Sequence, residues 1–116
     1  MTDQRQNGTP TPQAIFEGLP ARFLPEAAGR TRATIQIELT GDGGGRWWVR
    51  IADGTCTTGS GTVDKPDATL TTTVDDYISI RLGQLNPLQA AFGGRMKVTG
   101  KYGMAVKFSK MFRTGV

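Results

Sequence analysis

Asp53 and the adjacent pair Asp75 and Asp76, beside Tyr77, are the positions in this chain whose side chains could carry acid-base chemistry. A carboxylate enclosed by apolar groups has its charged form disfavoured, so its pKa climbs and it can draw a proton from the carbon next to a lipid-like ketone. Tyr77 and Tyr102 could donate a hydrogen bond to the polar head of such a substrate. Each position also has a plainer explanation. Asp53 precedes Gly54 and suits a tight turn, Asp75 and Asp76 stand at a helix start where the dipole favours negative charge, and each tyrosine suits a core ring with its hydroxyl at the rim. A small enzyme with a buried carboxylate base is therefore the alternative reading, and a non-catalytic role the leading one.

Histidine is absent from the 116 residues. Neither a Ser-His-Asp nor a Cys-His arrangement can be assembled without it, and the commonest transition-metal ligand is missing, so no catalytic residue, metal or cofactor is expected. Cys56 is the single cysteine; it excludes an internal disulfide and reads as a small buried apolar group. Gly41, the run from Gly43 to Gly45, and Gly59 with Gly61 match neither phosphate-loop nor dinucleotide pattern, so they read as turns.

The net charge of +4 is placed unevenly: residues 95–116 hold six Lys or Arg and no acid. A cationic patch can serve nucleic acid, a membrane or water alone. Stacking on single strands needs exposed rings beside cations, and only Trp48, between Arg46 and Arg50, has that setting; the remaining aromatics alternate into the expected interior. No nucleic-acid partner is expected. Apolar runs fall far short of the roughly 18–20 residues that cross a bilayer and no basic-then-apolar leader opens the chain, so a soluble cytoplasmic protein is expected.

Local patterns supply the elements that must hold these side chains. MTDQRQNGTP, residues 1–10, reads as a disordered tail and residues 11–116 as one domain. Thr11-Pro12 starts a helix carrying Ile15, Phe16 and Leu19 on one face, with a break near Pro20. Ile35, Ile37 and Leu39 alternate with polar residues as a strand, GDGGG turns, and Trp47, Val49 and Ile51 alternate again. Asp53-Gly54 leads to a small-residue strand, and ATLTTTV forms a fourth in an antiparallel meander. Thr73 with Asp76 starts a short helix ending at Gly83. Asn86-Pro87 starts another, with Leu88, Ala91 and Phe92 facing inward and Gly93-Gly94 as its stop. A fifth strand over 95–99 precedes a closing helix with Met104, Ala105, Phe108, Met111 and Phe112 on one stripe and Lys107, Lys110 and Arg113 near its polar face.

The run from GRWWVRIADG through KPDATLTTTVDDY to GQLNPLQAAFGGRMKVTGKYGMAVKF resembles the sterol carrier protein type two domain. Its motifs are a Trp-led strand ending in an Asp-Gly turn, Pro66-Asp67 before a Thr-rich strand, Gly83 to Pro87, Ala91-Phe92, Gly94 and Lys97, and Gly100 before an amphipathic helix. The likeness extends back through LPARFLPEAAGR, which is similar to the prokaryotic branch, and covers about residues 14–113. The chain ends Arg-Thr-Gly-Val, unlike a peroxisomal Ser-Lys-Leu signal.

The resemblance implies an α+β fold: a five-stranded, mostly antiparallel sheet with helices on one face around a hydrophobic tunnel. It implies non-catalytic binding and transfer of fatty acids, fatty acyl-CoA, sterol-like or isoprenoid molecules. Ile37, Trp47, Val49 and Ile51 are then expected as the floor. Phe92, Met96, Met104, Phe108 and Met111 are expected as walls and gate, with Phe23, Tyr77, Leu82, Leu85 and Phe112 also touching lipid. Lys107, Lys110 and Arg113 are expected to make transient contact with an anionic membrane surface. The chain is expected as a monomer or weak homodimer.

Overall fold

The computed structural model describes residues 9–115; of the tail expected over 1–10, residues 1–8 lie outside the described residues. Thr11 accepts a hydrogen bond from the Ala14 N–H through its Oγ1 at 3.2 Å and starts helix α1, Pro12–Arg22. Pro12 takes the first helical position, where no N–H is required. Ile15, Phe16 and Leu19 form the buried face. After Pro20 the helix runs only to Arg22, and a second short helix, α2 (Pro25–Ala28), follows an extended Phe23.

Strand β1 (Ala33–Thr40) pairs antiparallel with β2 (Gly45–Ala52), Ile35 opposite Val49 and Ile37 opposite Trp47. Alternation therefore places all four on one face. Asp53 and Gly54, with φ of 54° and 72°, make the tight turn into β3 (Thr55–Ser60). Twist compatible with a two-residue hairpin requires this left-handed pair, which Asp and Gly tolerate best.

The expected meander ends at β3. Strand β4 (Ala68–Thr73) pairs in parallel with β1, and β5 (Met96–Gly100) pairs antiparallel with β4, giving the order β3-β2-β1-β4-β5. The sheet is thus five-stranded and mostly antiparallel with one parallel pair. Residues 61–67 are long enough to cross the sheet, and two side chains fix the crossing. Gln36, buried on the sheet face turned away from the helices, donates from Nε2 to the Trp47 and Gly61 carbonyls at 3.0 Å each and accepts from the Val63 N–H at 2.9 Å. Asp67 donates its N–H to the Thr34 carbonyl and accepts from the Thr34 N–H through Oδ2, both at 2.8 Å, so β4 is locked beside β1.

Three helices complete the cover: α3 (Val74–Arg81), α4 (Pro87–Phe92) and α5 (Tyr102–Ser109). Thr73 Oγ1 accepts from the Asp76 N–H at 3.1 Å, and Asn86 Oδ1 from the Leu88 and Gln89 N–H groups at 2.8 and 3.2 Å. Helix α5 stops sooner than its apolar stripe suggests. Met111 follows in a bend, its N–H on the Phe108 carbonyl at 3.1 Å and its carbonyl accepting from the Leu24 N–H at 2.8 Å, and Phe112 then bridges to Phe23. Both side chains still reach the core, from beyond the end of the helix. Helix α1 packs over β3, while α3 and α5 pack over β4 and α4 against β5. Phe16 joins the halves, stacked on Trp47 at 4.9 Å and on Tyr77 at 5.3 Å.

Candidate functional site

The two halves of the helical face are filled differently. Under α1 the sheet is solid: Ile37, Val49 and Ile51 are fully buried and Trp47 is covered by the Phe16 ring. Over β4 and β5 the packing is incomplete and leaves an apolar cavity of about 60 Å³. Its floor is Leu70 of β4 with Met96 and Val98 of β5, residues that alternation aims toward the helices. Tyr77, Ile80 and Arg81 of α3 and Leu19 of α1 close one side. Pro87, Leu88 and Ala91 of α4 close another, and Tyr102, Ala105, Val106, Phe108 and Ser109 of α5, with Phe112, close the rest.

Short, well-anchored elements hold this shell. Arg95, at the entrance to β5, donates to Asp76 at the start of α3 through Nη2 at 2.6 Å and Nε at 3.3 Å. Hydrogen bonding to Asp76 raises the Arg95 pKa above its ordinary value. The Arg95 N–H donates to the Ala90 carbonyl at 2.8 Å, tying α4 to the same strand. At the other end Lys101 donates its N–H to the Asp67 carbonyl at 2.8 Å and its Nζ to the Asp67 carboxylate at 3.3 Å. The Thr34 N–H, more than Lys101, holds the Asp67 pKa below its usual value.

Chemically the wall is quiet. Of its titratable groups, Tyr77 is buried and its phenol is pushed well above the usual range by desolvation, against the pull of Arg81. No Asp or Glu lines the cavity. Asp53 sits in the β2–β3 turn paired with Arg32 at 3.2 Å, Asp76 is bound to Arg95, and Asp75 is exposed on α3. Among the described residues no three of Cys, Asp and Glu lie together as a metal site. Cys56, buried under the sheet's helical face, has its thiol pushed up to about 11 by burial and is unreactive near neutrality.

Of the residues the sequence singles out, Tyr77, Met96, Phe108 and Phe112 meet at the cavity. Ile37, Trp47, Val49 and Ile51, expected as its floor, lie beneath α1 instead, because β4 and β5 continue the sheet on the far side of β1 and carry the cavity with them. Phe23 packs against Phe112 at 5.7 Å, and Met111 is wholly buried in the core. Met104 and Leu85 are half-buried and Leu82 is exposed, all outside the lining. Phe92, expected to face inward, is 80% exposed; in the six-residue α4 it is Ala90 that is buried, and a turn and a half is too short for periodicity to choose a face. Lys107 and Lys110 are exposed at the end of α5, whereas Arg113 lies beyond the helix and donates to the Ala21 carbonyl at 2.9 Å. Sequence reasoning missed Leu70 and Val98, which alternation on β4 and β5 could have supplied, and Arg81, which nothing in its local pattern marks.

Comparison with known proteins follows this geometry. A sequence model of the SCP-2 sterol transfer family matches residues 15–113. Hydroxysteroid dehydrogenase-like protein 2 of Mus musculus is 30% identical over 87 residues, 74% of this chain and 18% of that protein. The chain thus spans about a fifth of that relative's length. Among solved structures, palmitated SCP2L2 from Aedes aegypti superposes with a TM-score of 0.74 at 21% identity, over 87% of this chain and 93% of that one. The sec-alkylsulfatase Pisa1 from Pseudomonas sp. gives 0.80 at 20% identity, over 100% of this chain and 19% of that one.

Proposed function

This chain belongs to the SCP-2 sterol transfer family, and on that premise we propose that it binds a lipid without catalysis, in the cavity between β4, β5 and helices α3, α4 and α5, and transfers it. Fatty acids, fatty acyl-CoA and sterol-like or isoprenoid molecules are its ligand classes. The single observation that carries the reading is a wall that is apolar on nearly every side yet incompletely filled. At about 60 Å³ the space lies below the roughly 300–1,000 Å³ of ligand pockets. A lipid chain therefore opens it, displacing the short α4, which Gly93 and Gly94 follow, and the flexible Met96.

Magnitudes agree with a carrier. Burying about fourteen methylenes returns roughly 11 kcal/mol at ~0.8 kcal/mol each, against ~4–15 kcal/mol for association. At the low end of that cost the surplus is about 7 kcal/mol, a dissociation constant of about 10 μM, and selectivity is loose, since methylenes make no directional contacts, so the cargo can leave. The alternative, a carboxylate base acting on a lipid-like ketone, is disfavoured by a lining without Asp or Glu. Displacement of a fluorescent fatty acid tests the proposal: saturable one-to-one binding is expected, and no saturable binding of fatty acid, acyl-CoA or sterol refutes it.

Transient contact with an anionic membrane surface belongs to the same proposal, through Lys107, Lys110 and Arg113, with the exposed Phe92 ring at the end of α4. Co-sedimentation with vesicles should rise with anionic lipid content, and equal binding to neutral vesicles removes this part. The chain acts as a monomer or weak homodimer in the cytoplasm. Nucleic acid finds little on the sheet's other face, where Trp48 covers Gly59 and already carries the Arg50 guanidinium at 5.5 Å.

A further inference from the structure

Arg81, the last residue of α3, is only 8% exposed and lines the apolar cavity. Its Nη2 donates to the Arg113 carbonyl at 2.8 Å, and its guanidinium carbon lies 5.7 Å from the centre of the Phe112 ring. Those contacts clip the C-terminal segment to α3. They leave the Nε–H, which is buried and has no hydrogen-bond partner. Among the described residues no carboxylate pairs with Arg81. A buried guanidinium with a donor unmade is destabilising unless something supplies the missing acceptor. Desolvation acts against its charge, Arg22 adds to that, and Tyr77 opposes it. An arginine keeps its proton regardless, so the wall of this greasy space holds a permanent cation with an open donor.

We propose that Arg81 is an anion anchor within the cavity: its Nε–H binds the carboxylate of a straight-chain fatty acid whose tail runs between β4–β5 and α4–α5. The inference rests on the reading that the cavity accepts a lipid chain. The head group goes inward, toward α3 and the C-terminal segment, and the chain prefers acids to neutral lipids of equal length. Charge-assisted bonds in a water-poor site are stronger than neutral ones, which sets the size of that preference.

The test is displacement of a neutral fluorescent lipid by dodecanoate and by methyl dodecanoate, at neutral pH, on the wild-type chain and on Arg81→Met and Arg81→Lys. The wild type should bind the acid roughly tenfold or more tightly than the ester. Arg81→Met should lose that preference, its acid affinity falling about tenfold further than its ester affinity, and Arg81→Lys should keep part of it. A purely structural clip would weaken both ligands alike in Arg81→Met, and that result overturns the proposal. So does equal wild-type affinity for acid and ester. Failure of both to displace the probe would instead sink the lipid reading beneath it. Should Arg81→Met not fold, dodecanoate labelled with carbon-13 at its carboxyl decides on the wild type alone: bound beside Arg81 it should titrate below the free acid, and an unshifted titration overturns the assignment.

Discussion

Asp67 concentrates several fold-making bonds in one side chain: it caps the parallel start of β4 against Thr34 and receives Lys101 at the entrance to α5. Its folded pKa lies below the ordinary 3.8. The stabilisation is therefore complete above the unfolded value and is lost as pH falls through the lower, folded one. Asp67→Ala should destabilise the chain at neutral pH by about 1 kcal/mol, the low end of the range for an orphaned donor because the Thr34 N–H is only half-buried, and should flatten acid unfolding below the ordinary value; denaturant titration across pH measures both. Cys56 offers a second residue-scale check. With its thiol near 11, labelling by a disulfide reagent at neutral pH should be slow in the native chain and immediate once denatured. Fast native labelling would mean that β3 opens readily.

At the scale of elements, what was legible in the sequence and what was not divide along a physical line. Thr11-Pro12, Thr73 and Asn86 announce their helices because a cap is a local bond, and each makes it. Strands β1 and β2 announce themselves by alternation. The partner of β4 is not legible that way, since nothing in ATLTTTV says that it joins β1 rather than β3; the choice is made by Gln36 and Asp67 at long range. The end of α5 is equally hidden, because Met111 and Phe112 keep a helical spacing although the helix has ended at Ser109. Two substitutions probe these joints. Phe16→Ala should cost roughly 3–5 kcal/mol, since it removes the ring between Trp47 and Tyr77. Gly100 has φ of +89°, and a Cβ there would stand 2.7 Å from the Asp67 carbonyl oxygen. Gly100→Ala should therefore lower stability by more than the ~1–2 kcal/mol of left-handed strain alone.

For the molecule as a whole, the resemblance in the sequence located the family, while the floor it implied, Ile37, Trp47, Val49 and Ile51, lies on β1 and β2 outside the lining of the cavity. The fold shows one filled half, under α1, and one unfilled half, under α4 and α5. The proposed function resides in the second. Ala105, buried on α5 in the cavity wall, probes the second: Ala105→Phe fills the space and, at an overpacking cost of about 1–3 kcal/mol, should weaken fatty-acid binding by roughly tenfold or more, the loss of one or two buried methylenes and their packing. Native mass spectrometry of the purified chain incubated with dodecanoate tests the central claim, that side chains leave room there for a guest, most directly. One bound fatty acid per wild-type chain is expected, with a clearly smaller bound fraction on Ala105→Phe at the same concentration; a wild-type chain that remains bare in excess dodecanoate would contradict it.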